Sequence, residues 1–234
     1  KDFRDPEAEE NGSYGIVTAR LQFKVSYLMI SLFGNYTKLE ADYLGITSTG
    51  ETEDGQIENM TGRAGCTMGF SYAFSSRFNL TAPYAGLEYR HWKKKGSPGG
   101  INIDERYEWF VLPAGIKLQY QLFSGFVAGI DISGGLTRRG RATIFTVKNT
   151  DPDSPDVPED EYPIFRLKGG WFYRGEIPLE FYLGKSFGFE VCPWYEYTSL
   201  GEYQVYTINV NEEITSSKIE MRAMGVNLSF RIYF

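Results

Sequence analysis

Very little in this chain of 234 residues belongs to the usual apparatus of catalysis or metal binding. It has one histidine, His91, and two cysteines, Cys66 and Cys192. A structural metal site draws on several such ligands close together, so no metal and no cofactor is expected. Around His91 the neighbours are Arg90 and Trp92, with Lys93 two residues on, and none of these is a nucleophile or an orienting carboxylate. A hydrolytic site needs both, so no catalytic residue is assigned. No stretch of about 18 apolar residues is present, which excludes a membrane helix. It does not exclude crossing a membrane by strands, which need only about 10 alternating residues each. Positive charge is not in excess: 24 Lys and Arg against 30 Asp and Glu give a net charge of −6. A nucleic-acid surface would be basic, so none is expected. Prolines number ten against 26 glycines, a balance that suits strands joined by tight turns. The chain opens on Lys1-Asp-Phe-Arg-Asp, too polar for a signal peptide.

What the chain has in quantity is aromatic residues and alternation. Tyr 17, Phe 17 and Trp 4 are high for this length. Because a strand sends successive side chains to opposite faces, a run with apolar residues at every second place has one oily face. Val17, Ala19, Leu21, Phe23 and Val25 alternate with Thr18, Arg20, Gln22 and Lys24. Leu28, Ile30 and Leu32 lead a second run. Cys66, Met68, Phe70, Tyr72 and Phe74 oppose Gly65, Thr67, Gly69, Ser71 and Ala73. A fourth run holds Phe78, Leu80, Ala82 and Tyr84 on one parity, then Ala85, Leu87 and Tyr89 on the other; such a phase change beside Pro83 predicts a bulge. The pattern returns at Phe110 to Tyr120, at Phe126 to Ile132, at Leu167 to Phe181 and at Phe189 to Tyr197.

The last run is the most telling. Met224, Val226, Leu228, Phe230, Ile232 and Phe234 occupy every second position, interleaved from Asn227 onward with Ser229, Arg231 and Tyr233. Ending on a terminal Phe, this segment resembles the final strand of bacterial outer-membrane β-barrels. In that family the strand is read by the barrel assembly machinery, so Val226, Leu228, Phe230, Ile232 and Phe234 are its expected signature. The resemblance implies an all-β, closed antiparallel up-and-down transmembrane β-barrel in the bacterial outer membrane, with any signal peptide removed or outside the numbering. Short connections fall near residues 26–27, 75–77, 123–125 and 184–186, and long polar ones near 47–62, 93–103, 139–162 and 198–216. Such barrels pair short periplasmic turns with longer extracellular loops, which places the carboxy terminus in the periplasm. Residues 1–12 are read as a polar amino-terminal segment and 13–234 as the barrel. Nine strands are counted, an odd number where bacterial single-chain barrels are even. Ten is the expectation, with one strand before Lys1, and eight the alternative if residues 13–26 are not wall. A soluble barrel or sandwich would turn the oily parity inward instead.

Candidate site residues follow from the polar parity. Arg20, Lys24, Glu88, Lys117, Asp131, Arg166, Lys168, Arg174, Glu176, Glu190 and Glu196 are expected to face the lumen. Buried charges must be paired or hydrated, so they form either a salt-bridged plug or the charge rings of a narrow pore. Arg90, Lys93, Lys94, Lys95, Arg138, Arg139 and Arg141 cluster at outer strand ends, where they suit the phosphates of outer-leaflet lipopolysaccharide. The cysteines fall on opposite parities and are expected to remain free thiols. Acidic clusters, from Glu51 to Glu58 and from Asp151 to Glu161, are read as solvated loop. Two functions without catalysis compete for a monomer of this kind. One is a narrow passive channel for small polar solutes; the other is a closed structural or interaction barrel whose outer loops bind envelope lipid, a host surface or a partner protein.

Overall fold

The computed structural model describes residues 8–11, 16–46, 52–96, 101–148, 164–184, 187–201, 203–204 and 219–232. These residues form β-strands and tight turns, with no helix among them. The strands are β1 (Ala8–Asn11), β2 (Ile16–Val25), β3 (Leu28–Ile46), β4 (Thr52–Ala73), β5 (Phe78–Gly96), β6 (Ile101–Phe123) and β7 (Phe126–Lys148). They continue as β8 (Ile164–Leu167), β9 (Trp171–Glu176), β10 (Leu179–Tyr182), β11 (Phe187–Leu200), β12 (Tyr203–Gln204) and β13 (Ile219–Ile232).

All belong to one 13-stranded antiparallel sheet that runs up and down in chain order. Several segments share a stave. β1 and β2 both lie along β3, and β8, β9 and β10 lie in succession along β7. The full-length staves therefore keep the odd count of the sequence, and residues 16–25 are one of them. β1 extends the sheet into the segment expected to precede it. The edges are β2 and β13, which run in the same direction and approach within 8 Å at their Cα atoms.

Side-chain bonds between strands that are not neighbours show that the sheet curls round. Arg90 on β5 bonds Glu196 on β11. Tyr84 on β5 donates to Asp131 on β7 at 2.5 Å. Gln119 on β6 donates to Glu180 on β10 at 2.9 Å. The apolar parity lies on the convex side: Phe70, Leu228 and Phe230 are exposed there, Phe230 by 90%. Arg174 and Glu190, on the polar parity, are buried on the concave side at 8% and 5% exposure.

Four short turns join the strands at one end. Ser26 and Tyr27 make the first, with Ser26 at φ 55°. Ser124 and Gly125 make the third, where Gly125 at φ 93° supplies the left-handed backbone a two-residue turn needs. At the other end the strands outrun the expected loops. β4 starts at Thr52, β5 reaches Gly96, β6 starts at Ile101 and β7 reaches Lys148. Strands of 22 and 23 residues far exceed the 10 or so a membrane requires. Much of what reads as loop between residues 52 and 62, 93 and 96, and 139 and 148 is paired strand, its backbone continuing the ladders of β3 with β4, β4 with β5 and β6 with β7. Residues 151–161, Glu51 and Phe234 lie outside the described residues.

Register shifts interrupt the alternation at several points. In β5 the residues Ala82 and Pro83 stand against one residue on each neighbour, Phe70 on β4 and Ile116 on β6. This is the expected bulge, and it carries both Thr81 and Tyr84 inward. In β7, Arg139 and Gly140 stand against Trp109 alone, with Arg139 at φ 51°. A Cβ at Gly140 would meet the Leu167 Cβ at 2.6 Å, so the bulge closes only over glycine. A third shift occupies Lys168 to Gly170, between β8 and β9. There the Thr137 hydroxyl donates to the Ser199 carbonyl (3.0 Å) and accepts from the Gly170 N–H (2.6 Å), satisfying groups the broken ladder leaves.

Candidate functional site

The concave side is layered along the strands. At the short-turn end it is polar and partly open, with a cavity of about 80 Å³ bordered by Arg20, Gln22, Ser31, Lys117, Asp131 and Ser133. Lys117 Nζ lies 3.9 Å from Glu180, and Ser229 donates to Glu190 at 3.2 Å.

Above the cavity is a layer of ions. Arg90 Nε donates to Glu88 at 2.7 Å. The Arg90 guanidinium also grips both carboxylate oxygens of Glu196 and donates to the Thr198 hydroxyl at 3.1 Å. Arg174 donates to Glu176 at 2.6 Å and to Glu196 at 2.8 Å. Arg63 Nη1 lies 3.8 Å from both Glu88 and Glu196. Arginines 63, 90 and 174 thus balance glutamates 88, 176 and 196. Each guanidinium also lies over a ring: Arg63 over Phe33 (5.6 Å), Arg90 over Phe172 (4.7 Å) and Arg174 over Trp194 (5.1 Å). Such a network stands in a low-dielectric interior only because nearly every charge has an opposite neighbour.

Beyond the ions the interior turns apolar. Tyr107, Trp109 and Val111 of β6 pack with Ala142, Phe165, Leu167, Phe172 and Leu200. Trp92, Ile219 and Met221 pack against them. These residues come from seven strands and form one apolar cluster on the concave side toward the long-loop end.

The structure sorts the candidate residues. Glu88, Lys117, Asp131, Arg174, Glu176, Glu190 and Glu196 lie in the interior as expected. Arg20 borders the cavity, and Lys24 shares its parity, but both are exposed on the edge strand β2. Arg166 and Lys168 are corrected: both are exposed on the convex side, because Phe165 and Leu167 take the inward positions and the break at residues 168–170 resets the phase before Phe172. Arg90 is corrected too. It is no rim residue but the centre of the ion layer, 5% exposed. Lys93 and Lys94 lie near Asp104 (3.8 Å) and Glu105 (3.9 Å) on β6, whereas Lys95, Arg138, Arg139 and Arg141 are exposed.

Val226, Leu228 and Phe230 are exposed on the convex side, and the backbone of Ile232 continues their alternation. Cys66 is exposed and Cys192 buried, on opposite faces, and both are free. Sequence reasoning missed Arg63, which shares the inward parity of Gly65 and Thr67. It also set Tyr84 with the apolar parity, and left Glu180 unassigned despite its polar parity. Comparison with protein-family models and with curated proteins returns no match.

Proposed function

We propose that this chain is a non-enzymatic, monomeric outer-membrane β-barrel whose interior is closed by its own side chains. The carboxy terminus lies on the periplasmic side in this reading, and the long-loop end is extracellular and makes the protein's contacts with envelope lipid or partners. The observation that carries the closed interior is the stacking of a balanced ion layer on an apolar cluster. Opening a path would strip buried charges of partners, which costs about 3–5 kcal/mol for a single broken pair.

Membrane insertion is supported by the convex face. Leaving one large apolar side chain in water costs about 1.5–3 kcal/mol, and here Leu21, Phe23, Met68, Phe70, Ile130, Ile132, Leu228 and Phe230 are all exposed together. A patch that large on one face is unusual in a soluble monomer. Hydrocarbon tolerates no open sheet edge, so β2 and β13 must be joined. Direct parallel pairing keeps the odd stave count. A further strand between them, antiparallel to both, would give the ten expected from family resemblance but needs them about 10 Å apart, so their approach within 8 Å favours direct pairing.

A cavity lined by Arg20, Lys117 and Asp131 favours a second reading, the narrow passive channel. Conductance in a planar bilayer separates the two. The closed barrel gives no discrete openings; openings whose ion selectivity changes in Lys117→Gln would replace it with the channel. Recovery of the chain with inner-membrane or soluble fractions would end both.

A further inference from the structure

The interior below the ion layer holds a cavity of about 80 Å³. One water needs about 10–15 Å³ of such space, so there is room for a molecule of about five to eight non-hydrogen atoms. That size excludes a sugar, a nucleotide or a peptide. Arg20 on β2, Arg63 on β4 and Lys117 on β6 all border the cavity. These strands alternate with β3 and β5 in the sheet, so the three cations approach from well-separated sectors of its curve.

The bonding of the polar groups around the cavity decides its chemistry. The acids already hold donors. Asp131 accepts from Tyr84 at 2.5 Å, Glu176 from Arg174 at 2.6 Å and Glu88 from Arg90 at 2.7 Å. The three cations are balanced in charge but not in hydrogen bonds. Arg63 lies 3.8 Å from Glu88 and from Glu196, too far for a hydrogen bond. Its Nε is buried with no hydrogen-bond partner among the described residues. Lys117 stands 3.9 Å from Glu180, which already accepts from Gln119 and Tyr182. Arg20 feels Asp131 and Glu176 at long range, yet forms no salt bridge or hydrogen bond with a described residue.

A guanidinium carries five N–H donors and an ammonium three, so most of the donors around this cavity are unused. Carboxylate and phosphate oxygens accept charge-assisted hydrogen bonds from such groups. A cationic ligand would instead meet carboxylates that already accept hydrogen bonds. We propose that the cavity binds a small oxyanion, a carboxylate or a phosphate, between Arg20, Arg63 and Lys117. The ligand enters from the short-turn end, where Arg20 is exposed. The site lies on the concave side, so it does not depend on what the convex face meets.

The test titrates the full chain, folded in detergent, with sodium phosphate, sodium acetate and sodium succinate, and with sodium chloride at matched ionic strength. Heat of binding is the readout. Phosphate or one of the carboxylates is expected to bind at least about tenfold more tightly than chloride, and the tighter of the two classes identifies the group recognised. Arg20→Gln and Lys117→Gln are each expected to weaken that binding about tenfold. Arg77→Gln, exposed in a short turn outside the cavity lining, is expected to leave it unchanged. Affinities no better than that for chloride overturn the proposal without any variant having to fold. Undiminished binding in folded Arg20→Gln, or an equal loss in Arg77→Gln, overturns it as well. Bilayer conductance bears on the closed barrel and not on this site.

Discussion

The two ends of the concave interior follow different rules. At the short-turn end, Ser31, Thr67, Lys117, Asp131 and Ser133 border a small cavity, and the convex side opposite them is apolar. Parity there separates oil from polarity in the simplest way. At the long-loop end the interior itself is apolar, built from Trp109, Val111, Phe172 and Leu200, while Arg138, Arg141 and Arg166 stand outside. The polarity of the two faces is inverted. Between the ends, the ion layer is the boundary where one rule gives way to the other. A curled sheet can therefore expose an oily surface along part of its height and bury one along another part.

The sharpest way to break this comparison is at the boundary. Glu196 serves Arg90 and Arg174 and lies near Arg63, so Glu196→Ala is expected to lower unfolding free energy by about 3–5 kcal/mol. Its counterpart near the cavity, Glu180→Gln, keeps an acceptor for Gln119 but takes the carboxylate from Lys117, whose ammonium the cavity can hydrate, and is expected to cost less, about 1–3 kcal/mol. Equal losses in urea unfolding would erase the distinction between the ends. Next comes Leu200→Ala, which empties part of the apolar cluster and is expected to cost about 2–5 kcal/mol. Ser133→Ala, beside the cavity, removes one hydrogen bond with Tyr84 and should cost no more than about 1.5 kcal/mol.

A spectroscopic effect follows. Of the four tryptophans, Trp171 is exposed on the convex side, while Trp92 and Trp109 belong to the interior and Trp194 lies under Arg174. Brominated acyl chains should quench mainly Trp171, and Trp171→Phe should remove most of the quenching. Persistent quenching in that variant would contradict the assignment of faces. The smallest effect is expected at Glu108. Its pair with Arg141 is exposed, so Glu108→Gln in lipid-free detergent should change stability by less than about 1 kcal/mol.

These contrasts also explain how much the sequence revealed. Where the interior is polar, alternation alone placed Glu88, Lys117, Asp131, Glu176 and Glu190 correctly, and the phase change beside Pro83 was legible as a bulge. Where the interior is apolar, both parities carry large hydrophobic groups and alternation loses its meaning. Phe165 and Leu167 look no different in sequence from the apolar residues of the convex face, so Arg166 and Lys168 were assigned to the wrong face. Two more signals were hidden. The break at Lys168 to Gly170 has no proline to announce it, and its register is held by Thr137 and Ser199 from elsewhere in the chain. Arg90 reads as part of a basic cluster because its carboxylate partner Glu196 is 106 residues away.

The extra residue in β7 has one more consequence. Before Arg139 the odd-numbered side chains Asp131, Ser133 and Thr137 look inward; after it the even-numbered Ala142 does. Excising Arg139 would leave Gly140 against Trp109 and Arg141 against Glu108, so every later side chain would keep its face and only the local kink would go. Pairing with β6, rather than the count of residues along β7, decides which medium each outer side chain of this stave meets.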